Sequence, residues 1–373
     1  MSSNSIFEDL FVLEIANNHW GSVERGKKII HEYSRVIRHN NVKAAIKFQF
    51  RDVDSFIHPD FVDREDMRYV WKTKQTKLSE NQLGELVEYT RQQGMYPMAT
   101  CFDEKSVDLF QRLDLDIMKV ASSDINDWPL LEKIATLGMP TIVSSGGSSL
   151  KDVDDVVSFF KKKNIPLALN HCVSLYPSED FELELNQIDF LKNRFPNTVI
   201  GFSSHEMTSW QASMYLSYAK GARTWERHVD IDDGKYSVSP YCSLPEQIDE
   251  WLEAYHLAKE MCGAPGTQKR IPVKREIEYL DKLVRGVYAK KDLKKGDVLK
   301  STDYFMAIPL QFGQLSCREL VEGEVILEDI SANEPIMIEK MDTPYAKNEK
   351  MRKKIMSRGF DVEAGEEGFI PKI

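Results

Sequence analysis

Short apolar or β-branched runs alternate along this chain with amphipathic stretches of helical length, and the alternation repeats eight times. The strand-like runs are LFVLEIA, AAIKFQF, YPMATCF, LDIMKVA, PTIVSSG, PLALNHC, NTVIGFS and ARTWERHV. Between them come GKKIIHEYSRVI, NQLGELVEYTRQQG, WPLLEKIATLG, LKDVDDVVSFFKKK and WQASMYLSYAKG, and PEQIDEWLEAYHLAKEMCG follows the last run. Apolar residues in these stretches recur at the helical period, whereas short continuous apolar runs suit strands buried on both faces. Eight strand–helix units over roughly 260 residues match a (β/α)8 barrel in count and size. A doubly wound open sheet is the competitor, but nothing resembling GxGxxG follows the first strand. The expected fold class is therefore α/β, a (β/α)8 TIM barrel over residues 1–266.

Beyond Gly266 the pattern changes. TQKRIPVKREIEYLDKLV is a charged connector, giving a linker over 267–283. Short strand-like runs broken by KKGD, EGE and ANEP turns then predict a small β-rich domain over 284–342. Residues 343–373 form a mixed charged tail in which MRKKIMSRGF has helical character.

No apolar stretch approaches the roughly 18–20 residues of a membrane span. The N-terminus MSSNSIFEDL lacks the basic and apolar regions of a secretory signal. Five cysteines are scattered without CxxC spacing, as in a protein with reduced thiols. A cytoplasmic protein without a membrane partner is expected. A net charge of −10 argues against nucleic acid as the main partner. It also means that an anionic substrate would need positive charge gathered locally, which makes lysines near strand ends informative.

Active sites of (β/α)8 barrels form at the C-terminal ends of the strands. Lys47 and Lys119 lie within apolar strands, where an unpaired ammonium is expensive. Either alone could pair with a structural carboxylate. Together with Ser144-Ser145-Gly146-Gly147, which offers hydroxyls and backbone N–H groups, they form a candidate phosphate cradle. His205 and His228 each follow a strand-like run and lie one strand–helix unit apart. Adjacent strands are about 4.8 Å apart, so both rings can reach one divalent metal and leave positions open for substrate. A lone strand-end histidine is more often structural. Two at this spacing, with Glu226 beside one and a serine pair before the other, point to an enzyme.

The segments EIANNH, KFQF, KVASSD, IVSSGG, HCVSLYP, GFSSHE and WERHV resemble, in order, the successive strand-end motifs of the sialic acid synthase family. The segment AKKDLKKGDVL resembles that family's antifreeze-like (SAF, β-clip) domain, and the likeness spans roughly residues 8–342. The resemblance implies a metal-dependent condensation of phosphoenolpyruvate with an open-chain N-acyl hexosamine or related aldose. The products would be a 2-keto-3-deoxy nonulosonic acid and phosphate. The metal would be manganese before magnesium or cobalt, and the assembly a domain-swapped homodimer.

Carried over by motif, Lys47, Lys119, Ser144 and Ser203 match positions that hold phosphoenolpyruvate, with Ser122 in the same motif. Ser174 replaces an Asn on that side. His205 and His228 match the metal ligands. Glu14, Tyr176 and Glu226 match sugar contacts, and Asp124 stands where the pattern has Glu. Glu14 and Glu226 are the acid/base candidates, with Lys47 and Lys119 offsetting substrate charge. In the small domain the family's Arg-Pro-Gly is matched by Ile308-Pro309-Leu310, with Gln311 and Gln314 nearby and Arg318 as the alternative donor. Loss of that Arg predicts a modified or differently acylated sugar in place of N-acetylmannosamine. Two other readings stand beside this one. The first is a synthase for another aldose, phosphorylated or not, of the ulosonate-phosphate type. The second is a non-catalytic binding protein on the same scaffold, against which the paired histidines and lysines count.

Overall fold

The computed structural model describes residues 6–319 and 321–362. The chain divides into two compact units, Met1–Gly263 and Ala264–Ile373. In the first, eight parallel strands close into a barrel in sequence order: β1 (Leu10–Ala16), β2 (Lys43–Phe50), β3 (Tyr96–Cys101), β4 (Ile117–Val120), β5 (Thr141–Ser144), β6 (Leu167–Cys172), β7 (Val199–Ser204) and β8 (Thr224–His228). β8 pairs back onto β1, so no strand edge is left open.

Alternation along the strands separates two environments. On β1, Phe11, Leu13 and Ile15 point outward into the main core shared with the helices, while Leu10 and Val12 point into the barrel. The lower interior is a dry plug of Leu10, Val12, Ala45, Met98, Ile117, Ile142 and Ala168, with Phe7 packed in the same cluster. Two residues further along each strand the inward positions turn polar, with Glu14, Lys47, Thr100, Lys119, Ser144, Asn170 and Glu226 all buried. The apolar plug closes the barrel from below and leaves its upper end for chemistry.

The helices bury one stripe each. In Val23–Asn40 the residues Ile29, Ile30, Tyr33 and Ile37 face the core, and the Ser22 hydroxyl caps the start by accepting from the Arg25 N–H at 3.2 Å. Gly201 on β7 is required by packing. A Cβ there would lie 1.8 Å from Thr224 Oγ1 and 2.2 Å from Asn170 Oδ1, which are themselves hydrogen-bonded at 2.6 Å. Between β2 and the helix Glu80–Gln92 the chain makes an excursion containing the helix Arg68–Gln75, none of whose residues is buried.

The second unit pairs β9 (Gly286–Ala289) with β10 (Tyr304–Ala307), and β11 (Val325–Ile326) with β12 (Met341–Asp342), both antiparallel. The predicted linker contains a helix, Lys274–Asp281. The tail contributes to this unit past residue 342: Ile355, on the helix Glu349–Met356, is buried in the same cluster as Val287, Leu315 and Ile336. Arg358 ion-pairs with Glu319, and the Phe360 N–H donates to the Leu310 carbonyl at 2.7 Å.

Candidate active site

Register alone brings the central groups level. Glu14 pairs across β1 with Lys47 on one side and His228 on the other, and Ser203 pairs with Glu226 across β7 and β8. Their side chains meet inside the barrel mouth. Lys47 Nζ lies 2.7 Å from Glu226 and 2.9 Å from Glu14, and Lys119 Nζ lies 3.3 Å from Glu226. Lys119 also donates to Ser144 Oγ at 2.7 Å, and Ser203 Oγ donates to Glu226 at 3.0 Å. Gln49 donates to Glu14 at 2.8 Å.

These four charged groups differ in how well they are matched. Burial pushes the Glu14 carboxyl up, but His228, Lys47, Gln49 and Lys119 together hold it well below the usual carboxylate range. Burial also opposes ionisation of Glu226, which the two lysines overcome. Burial works against the Lys47 ammonium as well, yet Glu14 and Glu226 raise its pKa above the ordinary lysine value. Lys119 is the exception: burial lowers its pKa and Glu226 does not make up the difference. Its charge is under-compensated where it stands.

The two histidines come together as their spacing predicts, with ring centroids 5.5 Å apart. His205 Nδ1 lies 2.9 Å from the Val173 carbonyl, which fixes the tautomer and leaves the Nε2 lone pair available. Burial, reinforced by His228, pushes His205 down to about 3, and burial also lowers His228, so both are neutral imidazoles near pH 7. His228 Nδ1 is buried without a hydrogen-bond partner, and its Nε2 lies 3.3 Å from Glu14. Two neutral imidazoles, one with an orphaned nitrogen and a carboxylate beside it, fit a divalent metal held with open positions. Among the described residues no group of three or more His, Cys, Asp or Glu forms a closed cage. Tyr176 packs on His205 at 4.1 Å between centroids, and Tyr241 lies 5.2 Å from His228.

On the opposite wall the Ser/Gly loop closes on two hydroxyls. A Cβ on Gly146 would sit 2.2 Å from Ser174 Oγ and 2.8 Å from Ser122 Oγ, and the Gly146 N–H donates to Ser122 Oγ at 3.0 Å. Glycine is what lets Ser122, Ser144 and Ser174 converge beside Lys119.

All of this lines one cavity of about 720 Å3. Of the barrel candidates, Glu14, Lys47, Lys119, Ser122, Ser144, Ser174, Tyr176, Ser203, His205, Glu226 and His228 line it; Ser145, whose Oγ donates to the Asn170 carbonyl at 3.1 Å, does not, nor does Asp124, which ends the 3-10 turn Ser122–Asp124 with a buried, unpartnered Oδ2. The lining also contains groups the sequence reading passed over: Thr100, Tyr241, and the cations Arg51, Arg68 and Lys72. Arg51 had a signal, since it continues the inward series Lys47, Gln49 at a spacing of two. Arg227 and Glu206, strand-end residues too, pair at 2.9 Å as buried structural ions away from the lining.

In the second unit Ile308 is 64% exposed. Gln314 is committed to structure, donating to the Val287 carbonyl at 2.8 Å and accepting from the Gln311 N–H at 2.8 Å. Its side chain is therefore engaged within its own unit. Arg318 pairs with Asp281 at 2.9 Å.

The sequence profile of the NeuB family matches residues 40–266, and that of the SAF domain matches 284–340. The chain belongs to the NeuB family. An uncharacterized protein of Methanocaldococcus jannaschii is 31% identical over 284 residues, covering 76% of this chain and 79% of the relative. The N-acetylneuraminate-9-phosphate synthase of Drosophila melanogaster is 27% identical over 369 residues, covering 90% of this chain and 96% of the relative. Among solved structures, one from Chromobacterium violaceum, provisionally described as spore coat polysaccharide biosynthesis protein E, superposes with a TM-score of 0.86 at 33% identity. It covers 90% of this chain and 100% of that one.

Proposed function

We propose that this NeuB-family chain is a metal-dependent synthase that condenses phosphoenolpyruvate with an open-chain N-acyl hexosamine or related aldose, releasing phosphate and a 2-keto-3-deoxy acid. The observation that carries the reading is the convergence, in one cavity, of the Lys119–Ser144–Gly146 cradle with the His205/His228 pair and the Glu14/Glu226 carboxylates. The name of the Drosophila melanogaster relative supports the same reaction class.

Lys119 and Lys47 hold the phosphate and carboxylate of phosphoenolpyruvate, with the Ser144, Ser122 and Ser174 hydroxyls as neutral donors. A divalent metal, manganese before magnesium or cobalt, held by His205 and His228 would supply Lewis acidity at the aldehyde. Carbon 3 of phosphoenolpyruvate forms the new C–C bond to the aldehyde carbon, whose oxygen takes up a proton. Water then adds at carbon 2 and loses a proton, and the resulting tetrahedral centre expels phosphate by C–O cleavage, the remaining hydroxyl proton passing to the departing phosphate, to leave the ketone. Glu14 and Glu226, both ionised, are the groups available to accept the proton from water and to orient sugar hydroxyls. Tyr176 and Tyr241 pack edge-to-face beside the histidine pair, on the aldehyde side.

The test is phosphate release from phosphoenolpyruvate with manganese across a panel of aldoses. Release should require both substrates, stop with chelator and return with added metal. Calorimetric titration of manganese should show one site in the wild type and none in His205→Ala/His228→Ala. Phosphoenolpyruvate binding without turnover of any aldose would instead favour a binding protein on this scaffold.

We also propose that the chain works as a homodimer in which the small domain of one subunit serves the partner's barrel. The exposed apolar residues of the segment 271–283 support this.

A further inference from the structure

The two strand ends that carry His205 and His228 carry an ion pair on their other side. On β7 and its continuation Ser203 and His205 face the cavity, as Glu226 and His228 do on β8. The alternate positions face the helix layer, where Phe202, Trp225 and Val229 belong to the main core. Ser204, Glu206 and Arg227 continue those outward series and are all buried. Ser204 and Arg227 are level with each other across β7 and β8. Arg227 and Glu206 therefore stand directly behind the two imidazoles, and neither reaches the cavity.

The Arg227 guanidinium gathers the backbone around both histidines. It pairs with Glu206 Oε1 at 2.9 Å and donates to the Glu206 carbonyl at 2.7 Å, to Ser204 Oγ at 3.0 Å and to Ser243 Oγ at 2.9 Å. Ser204 and Glu206 flank His205 in the chain. Ser243 in turn donates its N–H to the His228 carbonyl at 2.9 Å, and Arg227 is itself the residue before His228. Glu206 is held from the helix Trp210–Lys220 by the Ser213 hydroxyl, while its Oε2 is buried without a hydrogen-bond partner among the described residues.

Stability alone does not account for this arrangement. Two buried ions lose hydration that their mutual attraction often fails to offset, and apolar residues of similar volume are frequently as stable or more so. Here the carboxylate is also incompletely hydrogen-bonded, which adds to the cost. What apolar side chains cannot supply is direction, because the guanidinium fork holds its donors at fixed angles. The imidazoles need that direction. His205 Nδ1 has the Val173 carbonyl at 2.9 Å, but His228 Nδ1 has no hydrogen-bond partner, so the aim of His228 comes from its backbone.

We propose that Arg227 and Glu206 are positioning residues, a clamp behind β7 and β8 that sets the separation and aim of His205 and His228 for one divalent cation. This inference rests on the metal reading above and deepens it by naming what orients the ligands.

The experiment titrates manganese into the full chain by calorimetry, with thermal melting of each variant and phosphoenolpyruvate affinity measured without metal. Arg227→Met/Glu206→Met replaces the pair by apolar side chains of similar length, so the melting temperature should hold or rise. Manganese affinity should nevertheless fall about 10- to 100-fold, the usual effect of losing groups that orient metal ligands. Arg227→Lys keeps a charge opposite Glu206 but not the fork, and should lose less. Ser243→Ala removes only the acceptor for Arg227 Nε and should also weaken manganese. Phosphoenolpyruvate affinity should be unchanged throughout, because the Lys119–Ser144–Gly146 cradle stands on β4, β5 and the loop after β5. A folded double variant with native manganese affinity overturns the proposal, as does an equal loss of manganese and phosphoenolpyruvate affinity, which would mean general distortion of the barrel mouth. If the double variant does not fold, Arg227→Lys and Ser243→Ala decide: native manganese affinity in both overturns the clamp, and a selective loss in both supports it. If the wild type itself binds no manganese, the metal reading fails and takes this inference with it.

Discussion

Lys47 and Lys119 look interchangeable in the sequence, yet the structure gives them different burdens. Lys47 sits between two carboxylates and is stabilised by both, whereas Lys119 has one carboxylate at 3.3 Å and a serine hydroxyl. Lys47→Met would leave Glu14 and Glu226 buried with little compensation, a loss of about 3–5 kcal/mol in folding stability. Lys119→Met removes a charge that burial already disfavours, but it also takes away one of the two ammonium groups that keep Glu226 ionised, so a smaller loss of about 1–3 kcal/mol is expected. Phosphoenolpyruvate affinity should fall in both, by about 1.5–3 kcal/mol for a lost charge-assisted hydrogen bond. Adding Glu226→Gln to Lys47→Met should restore much of the stability and none of the ligand affinity. Denaturant titration with calorimetry on the same variants checks all of this. Unchanged phosphoenolpyruvate affinity in both single variants would assign these lysines to structure alone.

At the scale of elements, two glycines test whether backbone spacing or loop chemistry shapes the site. Gly201→Ala pushes a methyl group against Thr224, including its backbone oxygen at 2.6 Å, and neither strand can move without disturbing the barrel. A loss of about 1–3 kcal/mol is expected from overpacking. Gly146→Ala meets two serine side chains, which can rotate away. The fold should hold while the cradle opens, weakening phosphoenolpyruvate binding about tenfold, one hydrogen bond's worth. Native affinity in Gly146→Ala would remove the loop from the binding site. The same elements explain what could be read in advance. All eight strands were legible because burial on both faces makes them continuously apolar, so a lysine inside such a run, Lys47 or Lys119, stood out at once. The helix Arg68–Gln75 was not, because it buries no residue and leaves no apolar stripe to detect. Arg68 and Lys72 were lost with it. Asp124 follows a strand-terminal motif and sits in the 3-10 turn Ser122–Asp124, just outside the cavity lining.

The whole molecule poses a question that neither unit answers alone. The small unit is well packed inside: Ile355 and Arg358 from the tail complete a core and a buried ion pair that a boundary at 342 would cut away. One apolar face is nonetheless left to solvent. Along Val273, Ile277 and Leu280 the helix Lys274–Asp281 repeats at helical spacing, with exposures of 55%, 47% and 48%, and Ile271 and Leu283 flank it at 89% and 58%. Charged positions between them make the stripe amphipathic, as in a helix that expects a partner surface. A homodimer would cover it. Ile277→Asp/Leu280→Asp should then shift the molecular mass in light scattering from dimer to monomer while leaving the barrel's far-UV signature intact. Turnover should fall with dissociation and recover partly at high protein concentration, since mass action favours reassembly. A wild-type protein that is monomeric and active at every concentration would mean that each barrel works without a second subunit, and that this face serves another purpose.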